Sequence, residues 1–291
     1  MLRFDGVARE VRGRTLLHDL SFTVEGGEAV ALLGANGSGK STLLRLAARL
    51  DSPARGTVAG TAQRQTGYCP QSDPLWPDLS AVEHLDLAGA LHKMPRPLRL
   101  HASERLLDAL DLTRHATKPA ATLSGGMRRR LSVALALLHA PKLLLLDEPF
   151  AGLDDAQVAR VEALIGDAVR DGAAMLLATH DLAQATRLTS RFLLLRDGSL
   201  VRSGSSDALA AAGQPLRLSL SVAPEHNAAA LKFLRNATQR PVGDAPFLIA
   251  GNDAARLLDL AAALERALPG SVEAASVRPV QLQDLLQEVG P

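Results

Sequence analysis

With a single cysteine, Cys69, in 291 residues, the chain can build no internal disulfide framework, and one unpaired thiol suits a reducing cytoplasm. An excess of charge of one sign is also missing. The 32 Lys and Arg against 31 Asp and Glu leave a formal net charge of +1, so composition carries no nucleic-acid footprint. The opening stretch MLRFDGVARE has no apolar core of signal-peptide length. Long hydrophobic runs are absent too. The best candidate, LSVALALLHAPKLLLLD, is interrupted by His139, Pro141 and Lys142, short of the roughly 20 apolar residues that a membrane span needs. These absences predict a soluble chain whose work at any membrane passes through a partner. What is present is an apolar fraction of 47%, enough at this length for one large domain and a small one.

The order of apolar runs predicts an α/β domain. Phe4 to Ala8 and Ser21 to Val24 read as strands, and EAVALLG (Glu28 to Gly34) reads as a buried one, with a helix from Lys40. Leu79 to about Ala116 reads helical: SAVE at Ser80 to Glu83 fits a capping box, and Leu106, Leu107 and Leu110 keep helical spacing. Two apolar strands follow, Leu143 to Asp147 and Met175 to Thr179, with a helix around Gln157 to Val169 between them. RFLLLRDGSLVRSG carries a hairpin signal at Asp197-Gly198. Alternating strands and helices predict a mostly parallel sheet with a helical insert. Beyond AAAGQP (Ala210 to Pro215), read as a linker, a strand–helix pair occurs twice, in LRLSLSV with NAAALKFLRNA and in FLIAG with DAARLLDLAAALERAL.

GANGSGKS fits the phosphate-loop pattern G-x-x-x-x-G-K-[ST], between an apolar strand and a helix as that pattern requires. Gly34, Ala35, Asn36, Gly37, Ser38 and Gly39 can turn successive backbone N–H groups onto a phosphate chain. Lys40 adds a point charge, and the Ser41 hydroxyl can reach Mg²⁺. In LLLLDEP, Asp147 at the strand end can hold that ion, and Glu148 can orient or deprotonate an attacking water. MLLATHD repeats the geometry one strand over and presents His180 as a contact for a γ-phosphate. A lone strand-end histidine is more often structural; the neighbouring strand with its carboxylates favours the site reading. In LSGGMRRRLS, Ser124 can cap a helix, yet Gly125 and Gly126 follow directly, where each costs roughly 1 kcal/mol relative to alanine. Close backbone approach to a ligand explains that expense.

Taken together these segments closely resemble the ATP-binding-cassette (ABC) family. GANGSGKS is similar to its Walker A, LLLLDE to its Walker B with the catalytic glutamate, and LSGGM to its signature motif. Gln71 in GYCPQ resembles its Q-loop glutamine, Ala151 to Asp155 (AGLDD) its D-loop, and His180 its switch histidine. The resemblance implies the phosphate-loop ABC ATPase fold: a mostly parallel core sheet, an N-terminal antiparallel subdomain and a helical signature subdomain. It runs across roughly residues 1 to 210, which places the cassette at residues 1–213 and its helical part at about 72–135; the repeated strand–helix pattern beyond it reads as a small α+β appendage at 214–291, of ferredoxin-like pattern.

The resemblance also implies ATP and Mg²⁺, bound through Gly34 to Thr42, with Ser41, Gln71 and Asp147 at the metal. Ser124, Gly125 and Gly126 would close on the γ-phosphate held by a second cassette, identical or paralogous, and no nucleic acid is expected. Glu148 and His180 would direct the water. Arg128 to Arg130 then read as a solvated helix face. Transmembrane permease subunits would hold the chain peripherally on the inner face of the membrane, and Trp76, flanked by Pro74 and Pro77, reads equally as part of their docking groove or as an ordinary core aromatic. Alignment puts Val11 where the family stacks an aromatic on adenine, which predicts weaker base discrimination unless Arg9 or Arg12 substitutes. The ending RPVQLQDLL (Arg278 to Leu286) resembles that of ATPases serving ABC-2-type exporters, with Gln283 in place of the usual acid. Importer, haem-exporter-like and non-transport ABC ATPases are the alternatives.

Overall fold

Four consecutive leucines ending in an aspartate, LLLLD, bury every side chain, which fits a strand packed on both faces in the middle of a parallel sheet. The computed structural model describes residues 1–205, 216–238, 247–251 and 253–279. The chain divides into two compact units, Met1–Ser206 and Asp207–Pro291.

In the first unit, β1 (Leu2–Val11), β2 (Arg14–Val24) and β4 (Arg55–Gly60) form an antiparallel sheet in the order β2-β1-β4. The central sheet takes β3 (Ala29–Leu33), β5 (Thr66–Cys69), β6 (Leu143–Asp147), β7 (Ala174–Thr179), β8 (Arg191–Arg196) and β9 (Ser199–Ser205) in the order β5-β6-β7-β3-β8-β9. Every pair in it is parallel except β8 with β9. That exception is the hairpin read at Asp197-Gly198, whose φ values of 46° and 77° meet the two-positive requirement of a type I′ turn.

Period-two alternation on β6 and β7 feeds two separate cores. Leu144, Leu146, Met175 and Leu177 pack with Leu85, Leu106, Leu131 and Ile165, the helical side. Leu143, Leu145 and Leu176 pack with Phe4, Leu17, Leu43 and Leu44, the side of the antiparallel sheet. The helices are α1 (Lys40–Ala47), α2 (Ala81–Leu91), α3 (Arg96–Ala109), α4 (Gly125–Leu137), α5 (Asp155–Arg170) and α6 (Leu182–Leu188). The capping box that opens α2 is present: Glu83 N–H donates to Ser80 Oγ at 3.3 Å, and Ser80 N–H donates to Glu83 Oε2 at 2.8 Å. The helical stretch from Leu79 is two helices rather than one, broken where Lys93 takes φ 60° ahead of Pro95.

In the second unit, β10 (Leu216–Val222), α7 (Asn227–Thr238), β11 (Phe247–Gly251), α8 (Ala254–Ala267) and β12 (Val272–Pro279) alternate, and the sheet order is β11-β10-β12 with both pairs antiparallel. Leu218, Leu220, Leu234, Phe247 and Leu264 form its core. The strand β12 was not legible in the sequence, because VEAASVR alternates small and polar residues with few apolar ones. The linker at Ala210 to Pro215 and the ending from Val280 to Leu286 lie outside the described residues.

Candidate functional site: a phosphate loop at the strand ends

At Gly34, between β3 and α1, the chain approaches itself too closely for a side chain. A Cβ on Gly34 would sit 2.4 Å from the Leu195 carbonyl oxygen and 2.5 Å from Ser38 Oγ. Gly39 caps α1 at φ 106° and supplies no side-chain acceptor, so the first amides of α1 are left without a side-chain cap. Ala35, Asn36 and Gly37 are exposed at the loop crest, while Ser38 and Lys40 are buried and Ser41 and Thr42 half-buried behind it. Lys40 Nζ folds back to donate to the carbonyls of Gly34 at 2.8 Å and Ala35 at 3.1 Å. Burial pulls the Lys40 ammonium below its usual pKa, against the charges of Glu148 and Asp147, which hold it up.

Asp147 is 2% exposed and its Oδ2 has no hydrogen-bond partner. Burial pushes its carboxyl above the usual range, opposed by the Ser41 hydroxyl and the charges of Lys40 and Arg129. A buried carboxylate oxygen and the buried Ser38 hydroxyl, both unpartnered, are what a bound cation and phosphate would satisfy. Glu148, the next residue, adopts φ 50°, and its N–H donates to the Ala178 carbonyl at 2.9 Å. This turn brings the Glu148 carboxylate to the end of β7, where His180 Nδ1 lies 2.8 Å from Glu148 Oε1. Thr179, fully buried, sets its hydroxyl 3.4 Å from Glu148 Oε2 and accepts the Asp181 amide at 3.0 Å. Thr179 had no sequence signal of its own.

Ser124 caps α4, its Oγ accepting Met127 N–H at 3.2 Å. A Cβ on Gly125 would meet nothing within 4 Å; one on Gly126 would face Gln157 Oε1 at 3.1 Å and the Gly152 carbonyl at 3.4 Å. Gly126 is therefore tight against its own chain, and Gly125 alone faces open space.

The reading of Arg128 to Arg130 as a solvated face is corrected. Arg129 and Arg130 are 2% and 4% exposed, because α4 is packed into the helical core over most of its circumference. Arg130 donates to the carbonyls of Leu110 and Asp111 just past α3, and half-buried Arg128 donates to Leu123 O at 2.8 Å. Arg129 Nη1 donates to Pro70 O at 2.5 Å, Gln71 O at 3.3 Å and Asp73 Oδ1 at 3.1 Å. Its Nη2 donates to the carbonyls of Asp147 and, at 2.7 Å, Glu148. Gln71 itself is exposed after β5.

Trp76 is 57% exposed, which excludes the core-aromatic alternative. It lines a groove of about 430 Å³ whose wall also holds Leu87, Leu91, His92 and His139. Here burial, helped by the His92 ring stacked at 3.7 Å, pushes His139 down to about 4, with the Thr66 backbone opposing. His139 is thus neutral in the fold, whereas in the unfolded chain it takes a proton near 6.5. Stability that is complete above pH 6.5 is lost as pH falls toward 4. Thermal melts should show the wild-type midpoint dropping more between pH 7 and pH 5 than that of His139→Phe; equal drops would remove His139 as the cause.

Among the described residues no helix is long and apolar enough to cross a membrane. A parallel sheet with a phosphate loop, carboxylates and a histidine gathered at one set of strand ends is the organisation of a phosphate-loop nucleotide hydrolase. Comparison with known proteins narrows that class. Residues 17–151 match the ABC transporter family model. The chain is 40% identical over 202 residues to an aliphatic sulfonates import ATP-binding protein of Rhodococcus jostii, covering 68% of this chain and 80% of that one. It is 35% identical over 214 residues to the Nod factor export ATP-binding protein I of Bradyrhizobium diazoefficiens, covering 70% of each. A dimeric ATP-binding cassette solved after hydrolysis with ADP and Pi superposes with a TM-score of 0.65 at 26% identity, over 71% of this chain and 99% of that one. The chain belongs to the ABC transporter ATP-binding family. It is an ATP-binding, ATP-hydrolysing cassette.

Proposed function

We propose that two cassettes sandwich two MgATP and drive a membrane permease, most simply an ABC-2-type exporter. The observation that carries the hydrolytic reading is the Glu148 carboxylate, turned toward His180 at the strand ends shared with the phosphate loop. The backbone amides of Gly34 to Thr42 and the Lys40 ammonium hold the phosphates of ATP. Ser41, Gln71 and Asp147 would hold Mg²⁺, which offsets charge on the transferring phosphoryl group. Glu148 accepts the proton of the in-line water, and His180 orients that water and the γ-phosphate. Ser124 and the amides at Gly125 and Gly126 cap the γ-phosphate of the second cassette, through the positive end of α4. The dimeric solved cassette supports this pairing.

The groove at Trp76 is the docking site we assign to a permease helix, with Leu91 and Leu50, 69% and 48% exposed, as further apolar surface. This arrangement would keep the chain peripheral on the inner face of the membrane. Residues 1–213 act as the cassette and 214–291 as an accessory domain; helices alternating with the antiparallel strands β11-β10-β12 support the ferredoxin-like reading. The exporter reading rests on the ending from Arg278 to Leu286 and on the Nod factor relative. An importer is the second reading, favoured by the 40% identity to the aliphatic sulfonates import protein.

The test is a pull-down of the tagged Glu148→Gln chain from detergent-solubilised host membranes with MgATP. A multi-span membrane protein among the captured species is the expected result, and its relatives separate exporter from importer. Capture of only soluble proteins, ribosomes or DNA would overturn the transport role.

Val11 stands 38% exposed at the end of β1, while Arg9 is occupied by the Ser52 carbonyl at 2.8 Å and by Asp51. Of the two arginines, Arg12 is the one left at the hairpin tip to cover a base. Val11→Tyr should tighten ATP binding about fivefold, the equivalent of about 1 kcal/mol of stacking. Calorimetric titration checks this, and an unchanged affinity would remove Val11 from the adenine site.

A further inference from the structure

Glu148 takes a φ of 50°, a left-handed backbone that is uncommon for a non-glycine residue. Its amide is fixed by Ala178. Its carbonyl, and that of Asp147 before it, are fixed by one guanidinium, that of Arg129. The other arm of the same planar group grips Pro70 O, Gln71 O and the Asp73 carboxylate, in the loop that leads from β5 to Pro74 and Trp76 in the groove. Arg129 is 2% exposed, and Asp73, with a side chain 19% exposed, is the anion paired with it.

We propose that Arg129 is a positioning residue that couples the loop at 70–73 to the backbone of Glu148, so that a shift at the groove is transmitted to the carboxylate beside the nucleotide. A guanidinium is rigid and delivers its donors in fixed directions, so the loop cannot move away from β6 without either breaking bonds or dragging the Asp147 and Glu148 carbonyls along. An ammonium, with one nitrogen on a flexible stem, can serve the loop or the strand end but does not reproduce the fork. The inference rests on reading Glu148 as the base, and a Glu148→Gln control run alongside tests that reading separately.

The experiment compares full-length wild type, Arg129→Lys and Asp73→Asn by steady-state ATPase kinetics, ATP titration and amide hydrogen exchange. Arg129→Lys keeps a buried cation, and Asp73→Asn keeps the arginine itself, so the test survives if either variant alone fails to fold. Expected are a fall in kcat of tenfold or more for Arg129→Lys and about threefold for Asp73→Asn, with ATP affinity within threefold of wild type. Peptides covering 70–75 and 147–151 should lose protection together in both variants. Unchanged kcat in the folded variants, kcat and ATP affinity falling in parallel, or faster exchange confined to one of the two segments would each overturn the coupling. If Glu148→Gln turns over ATP like wild type, the base assignment fails instead, whatever the exchange data show.

Discussion

Replacing Glu148 by glutamine should lower ATP turnover by about 100-fold or more while ATP binding stays within a few-fold of wild type. The size is that of removing a positioned general base. The retention of binding follows from geometry. The contacts that hold Glu148 at φ 50° are backbone contacts, Glu148 N–H to Ala178 O and Arg129 to Glu148 O, and glutamine keeps both. The amide also keeps a carbonyl oxygen for His180 at the 2.8 Å position, but it has no basicity for a water proton. Losing one negative charge beside the phosphates favours the bound and closed state, so size-exclusion chromatography with MgATP should show more dimer than for wild type. Phosphate release measured under saturating ATP decides the matter. Turnover within threefold of wild type would remove Glu148 from the base role and leave the water to Asp147 or His180.

The strand ends of the candidate site were legible because their motifs are local in sequence. A strand, a glycine loop and a helix occupy consecutive residues from Ala29 to Ala47, and Asp147 with Glu148 closes an apolar run. The central sheet was largely legible for the same reason, since short apolar runs such as AVALL and LLLL, buried at every position, admit few alternatives. What was lost is what depends on neighbours. Strand β5, TGYC, is too short and mixed to declare itself, and it forms because it can pair with β6. Arg129 was misread because a run of three arginines suggests water. The correcting signal was present: LSVALALL, which continues the same helix, is apolar around its whole circumference, and such a helix is buried on every side. Arginines in its first turns must then find carbonyls, and loop ends such as Pro70, Gln71 and Leu110 supply them.

Gly125→Asp should stabilise the isolated chain or leave its melting point unchanged, and at the same time reduce ATP turnover by at least about 100-fold, on the scale of losing a preorganised donor to the reacting phosphate. The two effects have opposite signs because they belong to different molecules. Within one chain, nothing lies within 4 Å of a Cβ at Gly125, and its backbone is helical with no positive φ. Removing a glycine from a helix is worth up to about 1 kcal/mol, and an acidic side chain in the first turn adds about 0.3–1 kcal/mol against the helix dipole. Across a nucleotide sandwich the same carboxylate would stand against the γ-phosphate of the other cassette, occupying its approach and repelling its charge. Thermal melts and ATP titration of dilute protein report the first effect. Dimer formation with MgATP in the Glu148→Gln background, and turnover in the otherwise native chain, report the second. Gly126→Ala separates the neighbouring glycine: with Gln157 Oε1 at 3.1 Å and the Gly152 carbonyl at 3.4 Å, it strains its own chain before any partner arrives. If Gly125→Asp lowers the melting point and turnover together, the glycine serves its own fold. If it leaves the fold intact and abolishes dimer and turnover, Gly125 is bare for the nucleotide of a second cassette.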